Sequence, residues 1–499
     1  MLKKNLLANY FGQVWTMVMN LAFIPIYIKY LGVEAFGLIG IYAVLQASLN
    51  VIDMGITPAL SREMAKYSAN PKAYKNIGDL LRSIEIVVVV IATTIILTTY
   101  IISDWASLHW IKDASIAPNE IADALRIMGL ITALKFIEGV YRGCIMGLQK
   151  QVFYNVLSGV MTTVRSFGAV GVLAFISPTI TTFFIWQGLI TFATFLVLAL
   201  STYKLILRAG KTFRFSFSTL KNIRNFSGGI FFISLLSLLL MQSDKFVLSS
   251  VLSLENYGYY IFAANIAAGL YVFIIPVAQA WYPRFCVLHS QNNHKAISDD
   301  YHLGAQLVSV IAGSAAIVLF IFSNEFLQLW TQEVVLAATV APILSLLILG
   351  NLLNGLMWIP YHLQLAFGCT SLTTKINLIA VLLFIPLILM IVPRYGVIGA
   401  AFGWIAINFF CMIFGIYLMH RKILAKELGL WVLRDTLLPI AAGLVASIAV
   451  YILFPSPKSI FERAIILSVA VLFTTVASAA AANLVRNGIM RYCRQMMFK

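Results

Sequence analysis

The sequence predicts an all-α polytopic membrane protein with 14 transmembrane helices, arranged as two pseudo-symmetric six-helix bundles plus two C-terminal helices. Three observations support this fold class. Hydrophobic residues make up 61% of the 499 positions and charged residues only 11%, whereas soluble domains have roughly 45–50% and about 25%. Apolar stretches of about 20 residues, the length a helix needs to cross ~30 Å of hydrocarbon, recur along the chain. A short motif also recurs at the same connection in each half.

Each apolar stretch is predicted to be a helix, because lipid offers no hydrogen-bond partners to bare backbone groups. The polar gaps between them are too short for a separate soluble domain. We predict the first bundle over residues 1–226, the second over 227–420, and two further helices with a basic tail over 421–499. The stretches lie at about 9–28, 36–54, 84–102, 124–146, 152–175, 180–203, 228–248, 257–281, 303–322, 336–357, 374–392, 397–419, 437–453 and 464–484.

The lysines and arginines set the orientation of these helices, because cytoplasmic loops carry an excess of both. With a cytoplasmic N-terminus, the inner segments hold 25 of the 35 basic residues and the outer segments hold five. Fourteen crossings then return the C-terminus to the cytoplasm. This distribution accounts for the net charge of +16 without a nucleic-acid partner.

The repeated motif has the pattern Leu-x-x-Glu-x-aromatic-Gly. It runs from Leu31 to Gly37 (LGVEAFG) and again from Leu252 to Gly258 (LSLENYG), an offset of 221 residues. Transporters built from repeats carry their substrate path between the two halves. The alternative is a coincidence in a chain rich in leucine and glycine.

Polar residues form narrow strips on four predicted helices. Side chains three or four positions apart share one helix face, and four polar faces that avoid lipid would line a water-filled cavity. The alternative is that these groups hydrogen-bond between helices. The candidate lining residues are Asn9, Gln13, Asn20, Gln46, Asn155, Asn351 and Asn354.

Charged residues inside the predicted spans are the candidate functional groups, because a charge at the bilayer centre normally faces protein or a wet cavity. Arg165 lies about 20 Å along span five, too deep to reach the interface easily. Lys135, Glu138 and Arg142 share one face of span four, and the i, i+3 spacing predicts a Lys135–Glu138 ion pair. The predicted cationic site for a phosphorylated headgroup comprises Arg165, Arg142, Lys135 and Lys245, since guanidinium groups bind phosphate oxygens in pairs.

Carboxylates inside the spans are the candidates for binding a coupling ion, H⁺ or Na⁺. They are Asp53, Glu138 and Asp244. Asp244 adjoins Lys245, and a local ion pair explains these two residues as well as a substrate contact does. No other cofactor is expected. The five cysteines contain no CxxC pair, so neither a disulfide framework nor a zinc site is predicted.

Several short motifs make the chain similar to a known family. They are Asn9 to Gly12 (NYFG), Tyr30 to Gly37 (YLGVEAFG), Gly147 to Lys150 (GLQK), Ser243 to Phe246 (SDKF) and Tyr395 to Ala401 (YGVIGAA). With these motifs the chain resembles the polysaccharide-flippase branch of the MATE-like (MOP exporter) superfamily, which contains the Wzx-type O-antigen and capsule flippases.

The resemblance implies a V-shaped pair of six-helix bundles. It also implies a transporter that flips an undecaprenyl-pyrophosphate-linked oligosaccharide from the cytoplasmic to the periplasmic leaflet by alternating access. The implied location is the bacterial inner (cytoplasmic) membrane, with both termini in the cytoplasm. The implied partners are the lipid-linked oligosaccharide, membrane phospholipids and other polysaccharide-assembly proteins.

Other functions remain as alternatives. A multidrug exporter of cations should carry surplus acidic residues, whereas five basic residues face three acidic ones within the spans. A flippase of the peptidoglycan lipid precursor would need the same pyrophosphate site. A membrane polysaccharide polymerase or ligase would need catalytic groups in a large outer loop, and the gap at 104–123 shows no nucleophile–base pairing. We therefore expect a transporter and not an enzyme.

Overall fold

The structure is a computed structural model, and it divides into two compact units, Met1–Ile261 and Phe262–Lys499. The residues it describes in both units are helical apart from short connections and one isolated bridge between Lys112 and Ser253. It describes residues 12, 14–53, 56–69, 77–112, 114–207, 214–216, 235–236, 238–454, 457, 459–488 and 490.

The first unit contains six described helices, given below, and two further described helical segments, at 14–22 and 238–251. A π-helical turn, Ala106–Trp110, extends the third helix. The helices are α1 (Ile24–Ile52), α2 (Ile56–Ala69), α3 (Ile77–Trp105), α4 (Pro118–Gly147), α5 (Gln151–Phe175) and α6 (Ile180–Leu207).

Helix α4 is the centre of the first unit. One side of it packs with α2 and α3 in an apolar cluster that includes Leu60, Ile84 and Val140. Another side packs with α6, where Ile145 and Leu198 are fully buried. Because these contacts cover much of α4, the charged face of the helix is held in a fixed position.

Helix α7 (Leu254–Ala268) carries the chain from the first unit into the second. In the second unit, α9 is extensively buried and packs with α8, α11, α14 and α15. The remaining described α-helices of nine or more residues are α8 (Tyr271–Ser290), α9 (His294–Ile321), α10 (Ser323–Thr331), α11 (Val334–Leu356), α12 (Trp358–Ala366), α13 (Thr370–Ile423), α14 (Leu438–Leu453) and α15 (Ile460–Ala481). A π-helical segment, Trp431–Leu437, leads into α14.

At two predicted connections between spans, the chain turns at a single glycine with non-helical dihedral angles. Helix α1 bends at Gly32, where φ is 82°, and α13 bends at Gly396, where φ is 55°. Residues with side chains rarely adopt positive φ, so glycine permits the turn. The range α13 is therefore two helices joined at Gly396, and the predicted spans 374–392 and 397–419 lie on either side of that break.

Ten helical stretches in the described part of the chain are long and apolar enough to cross a membrane. The predicted spans 9–28 and 228–248 are described only in part. Helix α4 is 30 residues long but is not among the ten, and it carries five charged side chains between Asp123 and Arg142. The count of 14 spans and the bundle boundaries at 226 and 420 therefore stay predictions.

Candidate substrate cavity

The first unit encloses a polar cavity of about 330 Å³ between α1, α4 and α5, with contributions from α2 and α6. Six of the predicted site residues line it. They are Gln46 and Asp53 from α1 and its C-terminal end, Lys135, Glu138 and Arg142 from α4, and Arg165 from α5.

Helix geometry brings these residues together. Lys135, Glu138 and Arg142 fall within about 60° of one another on α4. Gln46 and Asp53 are seven residues apart, nearly two turns, and so lie on one side of the chain as α1 ends. Gln46 Nε2 donates to Thr132 Oγ1 at 3.0 Å, which fixes the polar side of α1 against α4.

Lys135 and Glu138 form the ion pair that their spacing predicts. Lys135 Nζ donates to Glu138 Oε2 at 2.9 Å, and the Glu138 side chain is only 9% exposed. The Lys135 ammonium lies within electrostatic range of the Arg142 and Arg165 guanidinium groups. Glu138 therefore offsets one of three positive charges that lie close together.

Asp53 has two roles in the structure. Its Oδ1 accepts hydrogen bonds from the backbone N–H of Thr57 at 3.1 Å and from Thr57 Oγ1 at 2.6 Å, so it caps the start of α2. The same carboxylate lines the cavity, within electrostatic range of Arg142. The three cations and two carboxylates of the lining leave a net charge of +1.

The capping role of Asp53 gives a stability prediction. Asp53→Ala should lower the free energy of unfolding by about 1 kcal/mol, because an alanine cannot accept the Thr57 hydrogen bonds. Thermal unfolding of the purified protein in detergent measures the change. Asp53→Asn is the matched control, since its amide oxygen still caps the helix without the charge. Equal loss of stability in both variants would contradict the capping role.

Arg165 is the positively charged residue that α5 contributes to the cavity lining. It lies midway along α5, and Trp186 Nε1 donates to its carbonyl oxygen at 3.1 Å. The Arg165 Nε atom is buried and has no hydrogen-bond partner among the residues that the structure describes. A buried donor left unbonded costs roughly 1–3 kcal/mol, so a ligand that supplies an acceptor would be stabilised there.

Other predicted lining residues lie beside this cavity or outside the described residues. Asn20 and Asn155 line an adjoining recess, which shares Tyr154 and Ser158 with the cavity. Asn9 and Gln13 are outside the residues that the structure describes.

Lys245 and Asp244 form a cluster of their own in the first unit. Lys245 Nζ lies 3.3 Å from the Asp244 carboxylate and donates to the Met241 carbonyl at 2.9 Å. Tyr260 donates to Asp244 at 2.7 Å. Neither charged residue is part of the described lining of the cavity, so their contacts match the local ion pair that the sequence left open.

Asn351 and Asn354 lie in the second unit and hydrogen-bond between helices. Trp404 Nε1 donates to Asn351 Oδ1 at 2.8 Å. Asn354 Nδ2 donates to Asn408 Oδ1 at 2.9 Å, and Tyr271 donates to Asn354 Oδ1. These bonds join α11 to α8 and α13, which is the alternative to a cavity wall.

Several cavity residues, Tyr154 among them, and one buried polar network were not predicted from the sequence. Tyr154 lines the cavity, and it precedes Arg165 by eleven residues, close to three helical turns, so the periodicity of α5 could have identified it. In the second unit, His302 is buried between the carboxylates of Asp435 and Glu427, and Gln306 also donates to Asp435. These residues are too far apart in the sequence for any spacing to show the cluster.

Comparisons with known proteins agree with this architecture. Residues 2–289 match the family model described as "Polysaccharide biosynthesis protein". A protein of Shigella flexneri named "Putative O-antigen transporter" is 22% identical over 404 residues, covering 80% of this chain and 93% of that protein.

Solved structures share the fold. The lipid II flippase MurJ in an inward closed conformation superposes with a TM-score of 0.73 at 14% identity, covering 97% of this chain and 99% of that one. An inward-facing multidrug transporter of the MATE family gives 0.67 at 16% identity, with 82% and 95% covered. The predicted all-helical, MATE-like fold is thus confirmed. Because the family model matches more than half of its residues, the chain belongs to the polysaccharide biosynthesis protein family.

Proposed function

We propose that this protein is a flippase that moves an undecaprenyl-pyrophosphate-linked oligosaccharide from the cytoplasmic to the periplasmic leaflet. The observation that carries the proposal is the positively charged cavity, in which the Arg165 guanidinium has a buried N–H without an acceptor among the described residues. The family and the Shigella flexneri relative support the same substrate class.

The cavity chemistry suits a pyrophosphate headgroup. Moving bare negative charges through hydrocarbon is prohibitively costly, whereas a cavity lined by guanidinium and ammonium groups replaces part of their hydration. Arg165 and Arg142 can each donate two parallel hydrogen bonds to phosphate oxygens. Ser158, Thr162 and Gln46 also line the cavity and can bond sugar hydroxyls, while the polyprenyl chain remains in lipid.

Coupling to an ion gradient is part of the proposal. Glu138 and Asp53 are the carboxylates of the cavity. Binding of H⁺ or Na⁺ to Glu138 would release Lys135 from its ion pair, and the free ammonium would then strengthen binding of the anionic headgroup. The cavity would alternate between the two sides of the bacterial inner membrane, with both termini in the cytoplasm. Other polysaccharide-assembly proteins would supply and consume the lipid-linked glycan.

Complementation tests the function directly. The protein is expressed in a strain that lacks its surface-polysaccharide flippase, and surface glycan is measured. Purified protein in vesicles is tested in parallel with a lipid-linked oligosaccharide, the peptidoglycan lipid precursor and a cationic drug. We expect translocation of the lipid-linked oligosaccharide. Transport of the cationic drug alone would overturn the proposal, and transport of the peptidoglycan precursor alone would replace the substrate.

A further inference from the structure

Helix α5 separates two different surfaces of the first unit. Tyr154, Ser158 and Arg165 lie within about 40° of one another and face the polar cavity. The opposite side of the same helix lines a groove of about 490 Å³ against the helical segment 14–22. We call this the α5 groove. Its lining is Gly12, Trp15, Asn155, Val156, Gly159, Val160, Thr163 and Val164.

The α5 groove is apolar because valines and glycines make up most of its lining and because the polar groups of Trp15 and Thr163 are hydrogen-bonded. Trp15 Nε1 donates to Thr163 Oγ1 at 2.9 Å, and Thr163 Oγ1 donates to the Gly159 carbonyl at 2.9 Å. Val156 and Val160 have 60% and 54% of their surface exposed. Such a surface binds hydrocarbon, since little polar surface must lose water when a chain is buried there.

A recess of about 500 Å³ adjoins both the α5 groove and the cavity. The recess shares Tyr154 and Ser158 with the cavity, and it shares Gly12 and Asn155 with the groove. A molecule with a charged end and a hydrocarbon end could therefore occupy all three, with its charged end beside Arg165.

The direction of the groove also fits a lipid of the cytoplasmic leaflet. From Asn155 to Val164 the groove follows α5 for nine residues, which is ~14 Å at 1.5 Å per residue. In the predicted orientation α5 begins at the cytoplasmic side, so the groove runs from the recess at Tyr154 toward the depth of Arg165 in the middle of the bilayer.

We propose that the α5 groove binds the headgroup-proximal part of the polyprenyl chain while the pyrophosphate occupies the cavity. The inference rests on the proposed function, and it adds the binding site for the hydrocarbon part of the substrate. The recess at Tyr154 and Ser158 is then the lateral passage between head and tail. Gly159 leaves room for the chain, because among the described residues a Cβ added there would meet only Trp15 Cδ1, at 3.6 Å.

Photolabelling of the full-length protein in vesicles tests the site. The probe is a polyprenyl pyrophosphate that carries a diazirine near the headgroup end of its chain. We expect labelled peptides to map to residues 155–164. Gly159→Leu should reduce this labelling about tenfold, because its side chain displaces roughly two methylene groups of the probe.

Gly171→Leu is the matched control, since it makes the same substitution on α5 where a Cβ would meet no described residue within 4 Å. It should leave both labelling and translocation unchanged. Val160→Phe fills the same groove and serves if Gly159→Leu does not accumulate. Unreduced labelling in the groove-filling variant, or labelling that excess phosphatidylglycerol displaces, would overturn the proposal.

The two proposals fail in different ways. If the wild-type protein translocates glycan and Gly159→Leu does so equally well with unchanged labelling, the α5 groove is not the tail site but the flippase function stands. If the wild-type protein neither translocates glycan nor binds the probe, the flippase function fails, and the groove proposal fails with it.

Discussion

Arg165→Gln is expected to reduce translocation of the lipid-linked glycan at least tenfold while the protein still folds. Glutamine has a similar length but no charge, and it cannot present the planar fork of a guanidinium to phosphate oxygens. Losing a hydrogen bond to a charged group costs roughly 1.5–3 kcal/mol, which corresponds to about ten- to hundredfold in binding. Surface glycan in the complemented strain and translocation in vesicles both measure the loss.

Two further variants define the role of Arg165. Arg165→Lys keeps the charge without the paired donors, so its activity should lie between wild type and Arg165→Gln. Arg126→Gln is the control for removing an arginine, because Arg126 pairs with Asp104 and Asp123 near the other end of α4 and should leave translocation intact. Full activity of Arg165→Gln at normal protein levels would remove Arg165 from the mechanism.

Gly258→Ala is expected to destabilise the first unit strongly. The two copies of the repeated motif contact each other within this unit, and their final glycines are at the point of contact. A Cβ on Gly258 would lie 2.2 Å from the Val33 carbonyl oxygen, and one on Gly37 would lie 2.7 Å from the Leu254 carbonyl oxygen. Because both obstacles are backbone atoms, the helices must move apart, at a cost of about 1–3 kcal/mol per substitution.

Thermal unfolding in detergent and the yield of monodisperse protein measure the effect of Gly258→Ala. Gly37→Ala should act in the same direction. Gly171→Ala is the control, since no atom in the part of the chain that the structure describes lies within 4 Å of its added Cβ, and alanine favours the helix by about 1 kcal/mol over glycine. An unchanged unfolding temperature for Gly258→Ala would show that the two motifs do not pack as closely as the structure places them.

The repeated motif is one feature that the sequence predicted only in part. The common pattern and the equal spacing identified two corresponding connections. Their contact through Gly37 and Gly258 could not be predicted, because a repeat gives similarity and not proximity. In the same way, hydropathy predicted two spans within 370–423 with a break between them, and the structure turns between them at Gly396, the residue with positive φ, which hydropathy could not single out.

The candidate site was also predicted from the sequence only in part. The period of the helix alone placed Lys135, Glu138 and Arg142 on one face and predicted the ion pair, because neighbours at i, i+3 and i, i+4 meet in any α-helix. It could not distinguish a cavity wall from bonding between helices. Gln46 and Asn351 belong to polar strips of similar appearance. Gln46 lines the cavity, whereas Asn351 accepts a hydrogen bond from a neighbouring helix.

The sequence by itself determined that the chain is helical and built for a membrane, and which charged groups share a helix face. These properties depend on composition and on periodicity within single helices. Only the tertiary structure decided which helix faces meet. It placed Arg165 beside the α4 charges and Lys245 in a local ion pair, and it placed an apolar groove on the side of α5 away from the cavity. The reason is physical: each of these features arises between helices, where packing and not local sequence sets the distance.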